Sequence, residues 1–183
     1  MDNITIRIIK REQEFKNVLK DAKKKINRKK FQYDHFIAIF DGDIDYNDRE
    51  HSLNNRCKAI ESLAQDSQVK IIISNRCWEN WIALHFEKFN RFTEPGTIFP
   101  IPNYEKSKPW YHNNFATLYE KTDTAIENSQ WLRKMKYQDM QFNQDIKQNP
   151  NYKDKQEIST VLSMNPVTYV DLLILFLRKV NSE

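Results

Sequence analysis

Three carboxylates, Asp41, Asp43 and Asp45, stand at alternate positions at the end of the stretch Phe36-Ile37-Ala38-Ile39-Phe40-Asp41-Gly42-Asp43-Ile44-Asp45. Negative groups at this spacing repel one another, which makes a poor ending for an ordinary strand. A divalent cation changes the balance, because hard cations such as Mg²⁺ take oxygen ligands and neutralise the cluster. Asp41, Asp43 and Asp45 are therefore candidate metal ligands. Gly42, one of only two glycines in the chain, lets the backbone turn tightly or approach a ligand closely. The plainer alternative is an Asp-rich turn, since Asp and Gly favour turns whatever the function.

The elements that would hold these groups alternate along the first half of the chain. Five β-branched, aromatic or small apolar residues precede Asp41 and read as a buried strand. Ile4 to Ile9 alternates apolar with polar and reads as another strand. Glu12 to Ile26 reads as a helix with Phe15, Val18, Leu19 and Ala22 on one face. Leu53 to Ala64 reads as a helix, and Val69 to Ser74 as a second buried strand. Strand, helix, strand, helix, strand predicts an α/β fold with a parallel sheet covered by helices. In such sheets ligands bind outside the carboxyl ends of the strands, where the aspartates fall. After Cys77 the pattern is helical through Phe89. Pro95, Gly96, Pro100, Pro102 and Pro109 mark an irregular loop. From Asn114 the chain reads as helical, closing with an apolar helix from about Val167 to Val180. The expected organisation is one domain over residues 1–183: a sheet core to residue 90, a loop over 91–113, and a helical part over 114–183 packed on the core.

Composition bounds the rest. The 183 residues suffice for a real core, and 39% hydrophobic with 30% charged residues describes a polar yet globular chain. A formal charge of +4 permits nucleic-acid binding without requiring it. Cys57 and Cys77 give neither a disulfide framework nor zinc spacing, so buried thiols in a reducing cytoplasm are expected. No signal peptide is visible, because Ile4 to Ile9 is short and interrupted by Arg7, and Leu172 to Leu177 is too short to span a bilayer. The expectation is a cytoplasmic protein without a membrane partner. The basic run Lys23 to Lys30 usually means a solvated helix end. Its sharper reading is a phosphate-contacting patch, which makes Lys29 and Lys30, together with Arg76, candidate nucleic-acid contacts. Trp110 and Tyr111 could stack on bases, although packing against the domain is the commoner fate of such residues. The stretch Trp131 to Tyr137, with Arg133, Lys134 and Lys136, reads as an amphipathic helix with a basic outer face.

Two further blocks carry a resemblance. Ser74-Asn75-Arg76-Cys77-Trp78-Glu79-Asn80-Trp81-Ile82-Ala83-Leu84-His85-Phe86 follows a buried strand, and Asn165-Pro166-Val167-Thr168 precedes the last helix. With the aspartate strand, they resemble the RloB-like family, whose members are similar to the Toprim domains of OLD-type nucleases. The family pattern is a strand ending in Asp-x-Asp, then Ser-Asn-Pro-Cys-Phe-Glu-x-Trp with Leu-x-His-Phe close behind, then Asn-Pro-Ser-Thr. Arg76 replaces the proline, Trp78 the phenylalanine and Val167 the serine, while the other positions match. The resemblance covers roughly residues 33 to 180, and its tryptophan-containing block is the specific part.

The resemblance implies a compact Toprim-like α/β unit that acts on phosphodiester bonds with Mg²⁺ or Mn²⁺. It makes Asp41 and Asp43 catalytic metal ligands, with Asp45 an outer partner and Glu79 a candidate for a second metal or for orienting a ligand. His85 lies about 120° around a helix from Glu79, and among Trp81, Leu84 and Phe86 it reads as a core residue. One family element is not evident: an opening Glu-Gly-x-x-Thr-Glu segment supplying a catalytic glutamate. Either that unit is missing and Ile4 to Ile9 is the second family strand, which is the preferred account, or Glu12 or Glu14 serves instead. The expected function is a metal-dependent nuclease of bacterial defence, active alone or with a partner chain that supplies the missing strand. The alternative is a catalytically incomplete Toprim-like module that binds nucleic acid or a partner protein as a regulator.

Overall fold

The computed structural model describes residues 36–42, 52–65, 69–94, 96–139 and 150–182. The expected strand Ile4 to Ile9, the helix Glu12 to Ile26, the basic run with Lys29 and Lys30, and the carboxylates Glu12, Glu14, Asp43 and Asp45 lie outside the described residues.

The chain is α/β. Strand β1 (Phe36–Asp41) pairs in parallel with β2 (Val69–Asn75), in register from Phe36 opposite Val69 to Asp41 opposite Ser74. Between them, α1 (Leu53–Ala64) makes the crossover. Its Cys57, Ile60, Leu63 and Ala64 recur at helical spacing and are all buried. Alternation in the strands gives each face of the sheet its own core. Phe40, Ile71 and Ile73 pack with Ile60 and Leu63 of α1 and with Ile158 and Val161 of a later helix, α5 (Lys155–Ser163). On the opposite face Ile72 joins Trp81, Leu84, Phe89, Trp110 and Leu132.

The remaining elements are α2 (Glu79–Ala83), α3 (Lys108–Glu120), α4 (Thr122–Asp139), β3 (Val167–Thr168) and α6 (Val170–Ser182). A buried ion pair joins α4 to α6: Arg133 donates from Nη1 and Nη2 to the two carboxylate oxygens of Asp171, each at 2.6 Å. Nη1 also donates to the Thr168 carbonyl at 2.7 Å. Planar, two-pronged pairing of this kind satisfies both charges inside the protein. The helical C-terminal part of the sequence reading is thus present.

Arg133, expected on a basic outer face, is instead buried, because it pairs with the buried Asp171 carboxylate. Four further details differ from the sequence reading. The sheet is mixed among the described residues, because β3 runs antiparallel to β2, with Thr168 opposite Ser74 and Val167 opposite Asn75. The last helix accordingly begins at Val170. Asn165 grips the backbone of Thr93 through both ends of its amide, and the amide of Tyr169 donates to the Ile73 carbonyl at 2.9 Å, which holds the intervening chain extended. Helix α2 stops at Ala83 and does not run on to Phe89. The Leu84 carbonyl, which a continuing helix would pair four residues on, accepts from Asn128 Nδ2 at 2.8 Å. Finally, Pro109 opens α3 and does not sit in the loop. It lies in the first turn, where a missing N–H costs nothing, and Ser107 caps the end by accepting from the Trp110 amide. Among the described residues no helix is long and apolar enough to cross a membrane.

Candidate functional site

Asp41 is the last residue of β1 and is exposed. The chain beyond it stays on β2, since the Gly42 amide donates to the Ser74 carbonyl at 2.9 Å. That path is close: a Cβ on Gly42 would lie 2.4 Å from Asn75 Oδ1 and 2.8 Å from Asn75 Cβ. The close approach expected of this glycine is therefore made to Asn75. After Asn75 the backbone turns, with Ser74 Oγ donating to the Cys77 carbonyl at 2.8 Å, and Glu79 opens α2. The carboxyl ends of two parallel strands thus bring Asp41 and the start of α2 to the same edge of the sheet.

Glu79 is buried but well supplied with partners. Tyr104 donates from its hydroxyl to Oε1 at 2.9 Å, and Lys106 Nζ pairs with the same oxygen at 2.8 Å. The Tyr104 and Tyr111 hydroxyls lie 3.1 Å apart, in hydrogen-bond contact. The ion pair is asymmetric: the Glu79 side chain is 7% exposed and that of Lys106 is 71% exposed. Burial is the largest single influence on the Glu79 carboxyl and works to raise its pKa. Hydrogen bonds from Lys106, its own amide, Tyr104 and Cys77 together outweigh burial and hold the pKa below the usual carboxylate range. Glu79 is therefore ionised at neutral pH. The Lys106 pKa is raised, first by the hydrogen bond to Glu79, against burial, and then by the charges of Glu79 and Asp41. Tyr111 also feels both carboxylates and Lys106, with burial its largest influence. Glu79, Lys106, Tyr104 and Tyr111 are joined by direct contacts.

Burial, followed by the charge of Glu79, pushes Cys77 up to about 12, so it stays protonated. His85 is a core residue, as expected: its Nδ1 lies 3.0 Å from the Trp81 carbonyl and its ring meets Trp81 edge-on at 4.9 Å. Arg76 is half-buried in the turn directly after β2, across the Asn75–Arg76 peptide bond, which is cis. Trp110 does not offer a face for stacking. It is buried, and Tyr104 and Tyr111 pack edge-on against it. Tyr104 and Lys106 escape sequence reasoning, since a tyrosine and a lysine in a proline-marked loop carry no spacing signal toward a glutamate about 25 residues earlier.

Donor chemistry bears on a metal. Mg²⁺ is commonly held by one or two carboxylates plus waters and substrate phosphates, and Asp41 and Glu79 supply hard oxygens of that kind. Among the described residues no group of three or more His, Cys, Asp and Glu side chains is placed to hold an ion.

The two motif blocks meet in space. Asn75 Nδ2 donates to the carbonyls of Leu162, at 2.9 Å, and Met164. Asn80 Nδ2 donates to the Asn75 carbonyl at 2.6 Å, and Thr93 Oγ1 donates to Asn80 Oδ1 at 3.0 Å. Asn165 completes the chain through Thr93. A family model described as RloB-like protein matches residues 2–177. The chain belongs to the RloB-like family. No curated protein and no solved structure matches it. In this RloB-like protein the asparagines of the two motif blocks build the frame, and the carboxylates stand at its edge.

Proposed function

We propose that this RloB-like protein hydrolyses phosphodiester bonds in nucleic acid, with Mg²⁺ or Mn²⁺ held at Asp41 and Glu79 and, by the family resemblance, at Asp43. The observation that carries this reading is the placement of Asp41, and of Glu79 just after β2, at the carboxyl edge of a parallel strand pair, with Lys106 Nζ 2.8 Å from Glu79. A cation bound there would polarise a phosphoryl oxygen or lower the pKa of a bound water. The chain's own residues do the rest. Tyr104 and the frame beneath α2 orient Glu79, whose low pKa suits it to act as ligand or proton acceptor and not as proton donor. Asp41 is exposed and accessible to solvent-borne ligands. The exposed Lys106 ammonium can follow an incoming phosphate, because a lysine acts as a mobile point charge. A cytoplasmic role in bacterial defence follows from the same family reading.

A second reading is a regulator that binds nucleic acid without cutting it. Its support is the Lys106–Glu79 ion pair, which already neutralises the buried carboxylate. Cleavage assays on single- and double-stranded DNA and on RNA, with Mg²⁺ or Mn²⁺, separate the two. The nuclease reading expects cleavage that disappears in Asp41→Asn and in Glu79→Gln. Binding without cleavage by folded wild-type protein, under either metal, would leave the regulator.

A further inference from the structure

The outward face of α3 carries two exposed aromatic rings and a lysine. Phe115 is 67% exposed and Tyr119 is 74% exposed, and their rings are nearly parallel, 23° apart with centroids at 6.3 Å. At 3.6 residues per turn, Lys108, Tyr111, His112, Phe115 and Tyr119 fall within an arc of about 100°. Lys108 and His112 are exposed as well. The buried Trp110 points the other way, and Glu120 lies about 100° around the helix from Tyr119. At the N-terminal end of this arc, Tyr111 contacts Tyr104, the hydroxyl donor to Glu79. Lys106, immediately before the helix, completes the link.

We propose that this face is a track for an unpaired nucleic-acid strand, with bases stacking on Phe115 and Tyr119 and phosphates running past Lys108 toward Lys106 and the carboxylates. The inference deepens the nuclease reading and takes its direction from it. Ring faces turned to solvent are of use to a strand whose bases are unstacked, and base–aromatic stacking tolerates any sequence. A duplex hides its base faces and would meet the lysines alone. A protein partner fits less well, since lysine is depleted at the cores of protein interfaces and here lies among the rings. The positive charge on the arc complements phosphate.

The test is fluorescence anisotropy of labelled oligothymidylate, oligouridylate and a short DNA duplex with the full chain, in EDTA and low salt, so that binding is read without cleavage. Wild type is expected to bind the single strands more tightly than the duplex, and the two single-strand arms separate DNA from RNA. The variant Phe115→Leu with Tyr119→Leu keeps apolar area but loses the ring faces. Its single-strand affinity should fall about tenfold or more, while Trp at both positions should preserve it. The proposal is overturned if wild type binds neither single strand, if it prefers the duplex, or if the Leu pair binds like wild type. A protein that binds through the rings yet never cleaves removes the nuclease reading and leaves the track. Cleavage untouched by the Leu pair removes the track and leaves the nuclease.

Discussion

Replacing Gly42 by alanine puts a methyl group where the structure has no room. Its carbon would sit 2.4 Å from Asn75 Oδ1, 2.7 Å from Cγ and 2.8 Å from Cβ. A flexible surface side chain would swing aside, but Asn75 is buried and its amide donates to two carbonyls, those of Leu162 and Met164. Turning it away forfeits both bonds, about 1 kcal/mol each net, and strands buried polar groups at about 1–3 kcal/mol more. Leaving it in place instead forces the backbone apart, and overpacking of this kind costs about 1–3 kcal/mol. The two routes bracket the loss at about 1–5 kcal/mol, or about 2–20 °C in Tm for a chain of this size. Equilibrium urea unfolding of wild type and Gly42→Ala measures it. In an Asn75→Gly background the obstructing atoms are gone, so the same alanine should cost less than about 1 kcal/mol. Equal costs in the two backgrounds, or a small cost in wild type, would refute the account of why this position is glycine.

Other perturbations probe the remaining contacts. Arg133→Met leaves the buried Asp171 carboxylate without its partner and should destabilise the fold by about 3–5 kcal/mol in urea unfolding. Burial lowers the pKa of His85, so the unfolded chain binds its proton more readily. Stability from this group is therefore lost as pH falls below about 6.5, and His85→Phe should flatten the dependence of Tm on pH between about 5 and 6.5. Lys106→Met removes the leading hydrogen bond that counters burial at Glu79. The Glu79 carboxyl pKa should then rise, read by carboxyl-carbon NMR titration, whereas an unchanged value would show that Tyr104 and the backbone suffice.

The sequence disclosed elements built from long-range burial with a clear period. The apolar run before Asp41, the stripe on α1 and the continuous run of β2 each state which face is covered, and each element forms where that pattern lies. Short or capped features were less legible. Pro109 reads as loop punctuation until Ser107 is seen capping the helix it opens. Two residues of β3 carry no period at all, and tertiary contacts make them a strand: the clamp of Asn165 on Thr93 and the pairing with β2. At the site, Asp41 was legible as a candidate from its place after an apolar strand, and Glu79 from the family resemblance. Tyr104 and Lys106 were not, because the loop that returns them to Glu79 is a tertiary event. The exposed rings of Phe115 and Tyr119 were equally silent, since an aromatic residue at helical spacing more often points inward.

The asparagine–threonine relay through Asn75, Asn80, Thr93 and Asn165 changes what a motif match in this family certifies. Its members join a strand end, a short helix, a loop and a cis-proline segment, and each spends its hydrogen bonds on backbone or on another member. Their work is structural, whatever the carboxylates at the edge do. Of the four, Asn75 and Asn165 are positions of the family pattern, so part of what that pattern matches is this buried frame. A match to the pattern therefore attests the frame of the fold, and the proposed roles of Asp41 and Glu79 need their own test.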